Sequence, residues 1–160
     1  MIFRDQLRPE DKAILHNLLI QTGFFFDYEI AVAIELIDDR LEKKEKSHYQ
    51  FLLAQENEDP SSVIAFASYG FVAGTQSSYD LYWLAVDPTK QNKRMGSTLL
   101  KEVEQRIKKT GGKNFYAETS GREKYTPTHQ FYLRNNFILE ARLKDFYFVG
   151  DDKLFFSKVL

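Results

Sequence analysis

The chain has 160 residues, enough for one core to bury most of its apolar surface, and a composition of 43% hydrophobic and 28% charged residues excludes extended disorder. Twenty-two basic residues against twenty-three acidic ones give a formal charge of -1, which leaves no global positive field for a nucleic acid. The lack of cysteine excludes disulfides, thiolate metal ligands and a cysteine nucleophile, and it suits a reducing compartment, so cytoplasm is the expected location.

Met1 to Gln6 carry no basic-then-apolar leader, and no run approaches the roughly 20 apolar residues of a membrane span, so a soluble chain with no membrane partner is expected. Ile2 and Phe3 open a short strand. Pro9-Glu10-Asp11 introduces a helix with Ile14, Leu15, Leu18 and Leu19 at helical spacing, ended by Gly23. An aromatic stretch, Phe24-Phe25-Phe26-Asp27-Tyr28-Glu29, leads into a second helix with Ile30, Ile34, Ile37 and Leu41 on one stripe. Three successive aromatics cannot all face one core, so at least one is expected at a pocket or interface. Strands follow over Tyr49 to Gln55, Val63 to Val72 and Tyr79 to Val86, separated by turn residues, as an antiparallel meander. Ser97 to Lys109 returns to helical period and stops at Gly111-Gly112. A strand (Asn114 to Thr119), a short helix (Pro127 to Asn135) and two closing strands (Ile138 to Val149, Lys153 to Val159) complete the chain. With no linker or repeat to divide it, the order predicts one α/β (α+β) domain over residues 1–160, a mixed and mostly antiparallel sheet with helices on both faces.

The stretch Leu84-Ala85-Val86-Asp87-Pro88-Thr89-Lys90-Gln91-Asn92-Lys93-Arg94-Met95-Gly96-Ser97-Thr98 is a strand feeding a polar loop that opens an amphipathic helix. A helix N-terminus offers unpaired N–H groups and a partial positive charge, which suits a pyrophosphate; a lone glycine before a helix is as often a plain turn. The stretch resembles motif A of the GCN5-related N-acetyltransferases (GNAT), V-x-P-x-x-Q-x-x-G-x-G/A, with Val86, Pro88, Gln91 and Gly96 at the matching places and Arg94 at the first glycine. There the arginine either points to solvent or adds a charge-assisted phosphate contact. Phe131-Tyr132-Leu133-Arg134-Asn135-Asn136-Phe137 is similar to the family's F-Y-x-x-x-G-F segment, with Asn136 for the glycine, and asparagine is the next most tolerant residue for a left-handed helix end. The closing aromatic pair Phe146-Tyr147 and Gly150-Asp151-Asp152 also look like a bacterial subgroup of the family.

The resemblance implies the GNAT fold, acetyl-coenzyme A as co-substrate without a metal, and a small-molecule or lysine-like primary amine as acceptor. It places Leu84, Ala85, Val86, Gln91, Asn92, Lys93, Arg94, Met95, Gly96, Ser97, Thr98, Tyr125 and Thr128 among the coenzyme-binding residues. A lysine-like amine has a pKa near 10.4 and must lose a proton before it attacks the thioester, and the developing oxyanion wants a backbone N–H near Leu84 or Ala85. Tyr132 occupies the family position that protonates the departing thiolate, with core packing as its alternative; Asp80 lies six residues before Val86 as candidate base, and Glu118 is the runner-up. His16, His48 and His129 show no ligand spacing and read as isolated surface histidines. Trp83 reads as core, and Asp27, Glu29, Asp145, Asp151 and Asp152 offer acidic loops for a cationic acceptor. The closing strands favour a homodimer. The competing readings are a coenzyme A or acyl-coenzyme A binding module without turnover and, more remotely, a scaffold.

Overall fold

The computed structural model describes residues 1–90 and 94–160. Its strands are β1 (Ile2–Arg4), β2 (Gln50–Gln55), β3 (Val63–Phe71), β4 (Ser78–Val86), β5 (Asn114–Ser120), β6 (Ile138–Phe148) and β7 (Asp151–Val159); its α-helices are α1 (Asp11–Gln21), α2 (Asp27–Lys43), α3 (Met95–Lys109) and α4 (Thr126–Arg134). The seven strands form one sheet in the order β1-β2-β3-β4-β5-β7-β6. β1–β2, β2–β3, β5–β7 and β6–β7 pair antiparallel, whereas β4 and β5 run parallel, pairing Ser78 to Leu81 with Asn114 to Ala117. Sheet class and element order are those expected from the sequence.

The chain divides into two compact units, each discontinuous in sequence: Met1–Phe71 with Trp83–Val103, and Val72–Tyr82 with Glu104–Leu160. The first is built on a fully buried run, Phe51 to Ala54 on β2 and Ala65 to Ala67 on β3, against Leu15, Leu18 and Leu19 of α1 and Ile37 of α2. Gly23, at φ 61°, stops α1 in the left-handed region that glycine enters without steric cost. The buried stripe of α2 is Ile30, Ala33, Leu36 and Ile37, whereas Ile34 and Leu41 are only half-buried. Ala33 and Leu36 fall within one turn of Ile30 and Ile37, so the core-facing stripe is broader than large residues alone suggest. A charged pin completes the unit: the buried Asp11 carboxylate accepts two hydrogen bonds from the Arg4 guanidinium, at 2.7 and 2.8 Å, and one from the Arg8 backbone N–H at 2.7 Å. Bidentate, charge-assisted pairing of this kind offsets the desolvation of a buried carboxylate and ties β1 to the start of α1.

In the second unit the alternation of β5 and β7 separates two faces. Phe115, Ala117, Leu154 and Phe156 are buried on one, with Tyr79 and Leu81 of β4. Ring contacts continue this layer through Phe115 to Phe137 (5.7 Å between centroids), Phe137 to Tyr132 (5.5 Å) and Tyr132 to Phe156 (5.2 Å). Lys158 braces it by donating to Glu104 Oε1 at 2.7 Å and to the Asn135 carbonyl at 2.9 Å. Asn136 ends α4 at φ 65°, the left-handed turn expected of it, and the Phe137 N–H returns to the Tyr132 carbonyl at 3.0 Å. β6 forms a sheet edge with every residue exposed, Ile138, Leu139, Phe146 and Phe148 among them.

Candidate active site

In the first unit, the end of β4 buries Ala85 and Val86 and half-buries Leu84. An Asp87 turn follows. Its side chain accepts from the Thr89 N–H and hydroxyl at 2.8 and 2.7 Å, and its carbonyl from the Lys90 N–H at 2.8 Å. Of the expected coenzyme-binding residues, Gln91, Asn92 and Lys93 lie outside the described residues. Arg94 is exposed and sits at φ 58°. This is the conformation glycine adopts freely and a side chain adopts at a cost of about 1–2 kcal/mol. The backbone here therefore follows a glycine path although the residue is arginine. The Arg94 carbonyl accepts from the Thr98 N–H at 2.9 Å and the Thr98 hydroxyl at 3.1 Å, which closes the first turn of α3. Met95, Leu99, Leu100 and Val103 anchor the helix in the core, leaving Gly96 and Ser97 half-buried and Thr98 exposed at the positive end of a 15-residue helix.

The proton-transfer candidates lie in the second unit. Tyr132 is buried among Phe131, Phe137 and Phe156, and burial pushes its hydroxyl pKa well up, so it stays protonated across the physiological range. Asp80 stands beside Tyr116 in the β4–β5 register, one residue out of phase with buried Tyr79 and Phe115. Asp80 and Tyr132 therefore belong to opposite sides of this sheet. Burial raises the Asp80 carboxyl above the usual carboxylate range, the nearby Glu118 raises it further, and Lys153 opposes both. Glu118 shares the Asp80 face but is about half exposed and ion-paired with Lys153 at 2.5 Å. Tyr125 is buried with the Arg122 guanidinium 5.8 Å from its ring centroid, and Thr128 is half-buried in the first turn of α4.

Several side chains serve architecture instead. His129 is not an isolated surface histidine: its Nε2 lies 2.8 Å from the Ser120 carbonyl and its ring stacks on Phe156 at 6.0 Å, because it projects from the first turn of α4 over the end of β5. His16 and His48 are exposed, as expected. Trp83 is half-buried beside Phe25 at 6.5 Å, with its Nε1 buried and unpaired among the described residues. Phe24 packs on Phe25, whereas Phe26 stacks on Tyr28 and both are exposed. Most of the acidic residues named as acceptor attractants are committed locally. Glu29 accepts from the Phe26 N–H at 2.8 Å at the start of α2, and Asp145 from the Gly150 N–H at 2.7 Å. Asp151 is buried, accepting from the Ser120 hydroxyl at 2.5 Å and lying 2.9 Å from Arg122 Nε, and Asp152 pairs with Arg142. Hydrogen bonds from the Asp145 N–H and from Arg142 hold the Asp152 carboxyl below the usual range. Gly150-Asp151-Asp152 thus builds the β6–β7 hairpin. Sequence reading named Phe146 and Tyr147 only for the family resemblance and gave Lys153 and Phe155 no role, although the alternation Lys153, Phe155, Ser157 against buried Leu154 and Phe156 marks these as one outward face. Among the described residues no cluster of histidine and carboxylate side chains is suited to a metal ion, and no helix is long and apolar enough to cross a membrane.

The acetyltransferase (GNAT) family model matches residues 15–137. A crystal structure assigned to that acetyltransferase family from Desulfovibrio desulfuricans is 41% identical, covering 99% of this chain and 98% of that one with a TM-score of 0.94. An aminoglycoside 6'-N-acetyltransferase complexed with coenzyme A is 17% identical, covering 99% and 97% of the two chains with a TM-score of 0.74. The ribosomal-protein-S18-alanine N-acetyltransferase from Escherichia coli is 15% identical, covering 99% and 92% with a TM-score of 0.75. At these last two identities the likeness is one of fold. Among proteins of curated function, none matches the chain.

Proposed function

The chain belongs to the acetyltransferase (GNAT) family, and from that premise we propose that, as one domain over residues 1–160, it moves the acetyl group of acetyl-coenzyme A to a primary amine. The observation that carries the co-substrate is Arg94: a non-glycine residue at φ 58° keeps the backbone of the motif's first glycine at the mouth of α3. The residues present fit the coenzyme, since a helix N-terminus with Gly96, Ser97 and Thr98 in its first turn offers N–H groups to a pyrophosphate. Leu84, Ala85 and Val86 supply the main chain beside it, and Gln91 to Lys93, Tyr125 and Thr128 complete the proposed binding set. When bound, acetyl-coenzyme A supplies an activated thioester.

The residues of this chain handle the protons. Asp80, its carboxyl raised toward the range of a useful base, takes the proton of the amine directly or through a water, with Glu118 as the weaker candidate. The amine nitrogen bonds to the acetyl carbon, the carbon–sulfur bond breaks, and the Tyr132 hydroxyl gives its proton to the departing thiolate. Backbone N–H groups near Leu84 and Ala85 would receive the negative charge on the carbonyl oxygen. The proposed setting is cytoplasmic.

Calorimetry with coenzyme A tests the first half of this reading and an amine panel with coenzyme A release tests the second. Gly96→Val is expected to abolish coenzyme binding while the fold persists. Wild-type affinity in that variant would place the site elsewhere, and coenzyme binding without product on any amine would leave a binding module. The exposed β6 edge, with the large apolar side chains Ile138, Leu139, Leu143, Phe146, Tyr147 and Phe148, supports a homodimer through a second copy of the same strand. Light scattering at micromolar concentration tests it, and a monomer throughout would remove it.

A further inference from the structure

Lys153 is half-buried among residues several of which are exposed. Its side chain is 12% exposed, whereas Glu118 is 48%, Phe146 52% and Tyr147 39% exposed. A surface lysine ordinarily lays its stem on the protein and keeps its charge in water. Here the charge is enclosed: Nζ lies 4.3 Å from the ring centroid of Phe146, 5.0 Å from Phe155 and 5.9 Å from Tyr147, and 2.5 Å from Glu118 Oε2. The strand registers explain how the parts meet. Phe155 faces Glu118 across the β5–β7 ladder, Lys153 precedes Phe155 by two residues on the same face, and Phe146 and Tyr147 arrive from β6, where the register shifts between Leu143 and Phe148. Asp80 belongs to this face as well, through its neighbour Tyr116.

Three aromatic faces and a carboxylate around one aliphatic ammonium make a site with the chemistry that recognises alkylammonium groups. A site filled by a side chain of its own protein is filled by a tethered competitor, whose effective concentration is high and which must be displaced before any free cation enters. The lysine stem has four rotatable carbons, so its head can leave without disturbing the strand. We infer that this cage is the acceptor's anchoring subsite, that Lys153 is its built-in competitor, and that the acceptor is an aliphatic diamine or polyamine. The inference rests on the acetyl-transfer reading for the word acceptor. The diamine follows from charge: a nitrogen held as a cation in the cage is not a nucleophile, so the attacking nitrogen is a second one, placed to lose its proton to Asp80.

The test titrates cadaverine into the coenzyme-free protein by calorimetry, with melting curves to confirm folding. Lys153→Ala empties the cage and is expected to tighten cadaverine binding about tenfold, the scale of a desolvated cation–aromatic contact. Lys153→Gln removes the charge but leaves a side chain in the space, and is expected to gain much less. Adding Phe146→Ala to Lys153→Ala is expected to cancel the gain. Equal gains in the alanine and glutamine variants would reduce the effect to general electrostatics and overturn the cage, as would a gain that survives Phe146→Ala. In turnover, cadaverine is expected to be acetylated and n-pentylamine, with its only nitrogen held in the cage, to inhibit. Acetylation of n-pentylamine as fast as cadaverine would overturn the diamine assignment while leaving acetyl transfer intact. Cadaverine binding with no acetylation of any amine would overturn acetyl transfer, and with it the cage as an acceptor subsite.

Discussion

Along β5 and β7, residues one position apart meet opposite fates. Phe115, Ala117, Leu154 and Phe156 are sealed beneath α4 and the end of α3, while Tyr116, Glu118 and Phe155 on the other face stay in contact with water. The sealed face is a continuous aromatic layer in which Tyr132 is one ring among several. The open face carries Asp80, Glu118 and the enclosed Lys153 ammonium. A period of two residues is enough to give one ladder a structural side and a chemical side, and the two proposed proton-transfer groups then fall on different sides.

Tyr132→Phe probes where that division fails, because Tyr132 is a proposed reacting group that lies within the packing layer. It keeps the ring and deletes the hydroxyl, so turnover is expected to fall about 10²- to 10⁴-fold, the usual worth of general acid assistance, with little change in melting temperature. A lost melting temperature with turnover per folded molecule intact would make it packing alone. Phe115→Ala, on the same layer, is expected to do the reverse, costing about 3–5 kcal/mol of stability in a denaturant titration.

On the open face the effects are smaller and depend on pH. The folded state holds the Asp80 proton more tightly than the ordinary 3.8 of the unfolded chain. Stability is therefore lost as pH rises from about 3.8 through the raised folded value and stays lower above it. Asp80→Asn is expected to raise the melting temperature at pH 7 while abolishing most amine-dependent turnover. Glu118→Gln removes one of the two influences that raise Asp80, so the acid limb of the rate profile should move to lower pH; an unmoved limb would take Asp80 out of the base role. The smallest effect is a backbone control. Arg94→Gly should stabilise by about 1 kcal/mol by relieving a left-handed side chain, whereas Asn136→Gly should gain less because asparagine tolerates that region better. A denaturant titration of both variants measures the difference.

Much of this was legible in the residues. Val86, Pro88, Gly96 and the Phe131-Tyr132 pair pointed to the family, and Asn136 to a left-handed helix end, because a backbone that needs positive φ restricts which side chains it accepts. The period of Leu99, Leu100, Val103 and Ile107 likewise specified α3 and the side it buries. What the residue string left open depended on neighbours distant in the chain. Asp80 stood ahead of its runner-up Glu118 on spacing alone, and only the ladder gave the two different surroundings, leaving Glu118 half exposed against Lys153 and Asp80 partly buried. Asp151 and Asp152 looked like acceptor attractants until Ser120, Arg122 and Arg142 claimed them. Covalent sequence determines conformational tolerance and the period of burial, which are local. Whether a carboxylate is free, paired or desolvated is decided by strands that meet only in the folded sheet, since Coulomb and desolvation energies depend on separations in space.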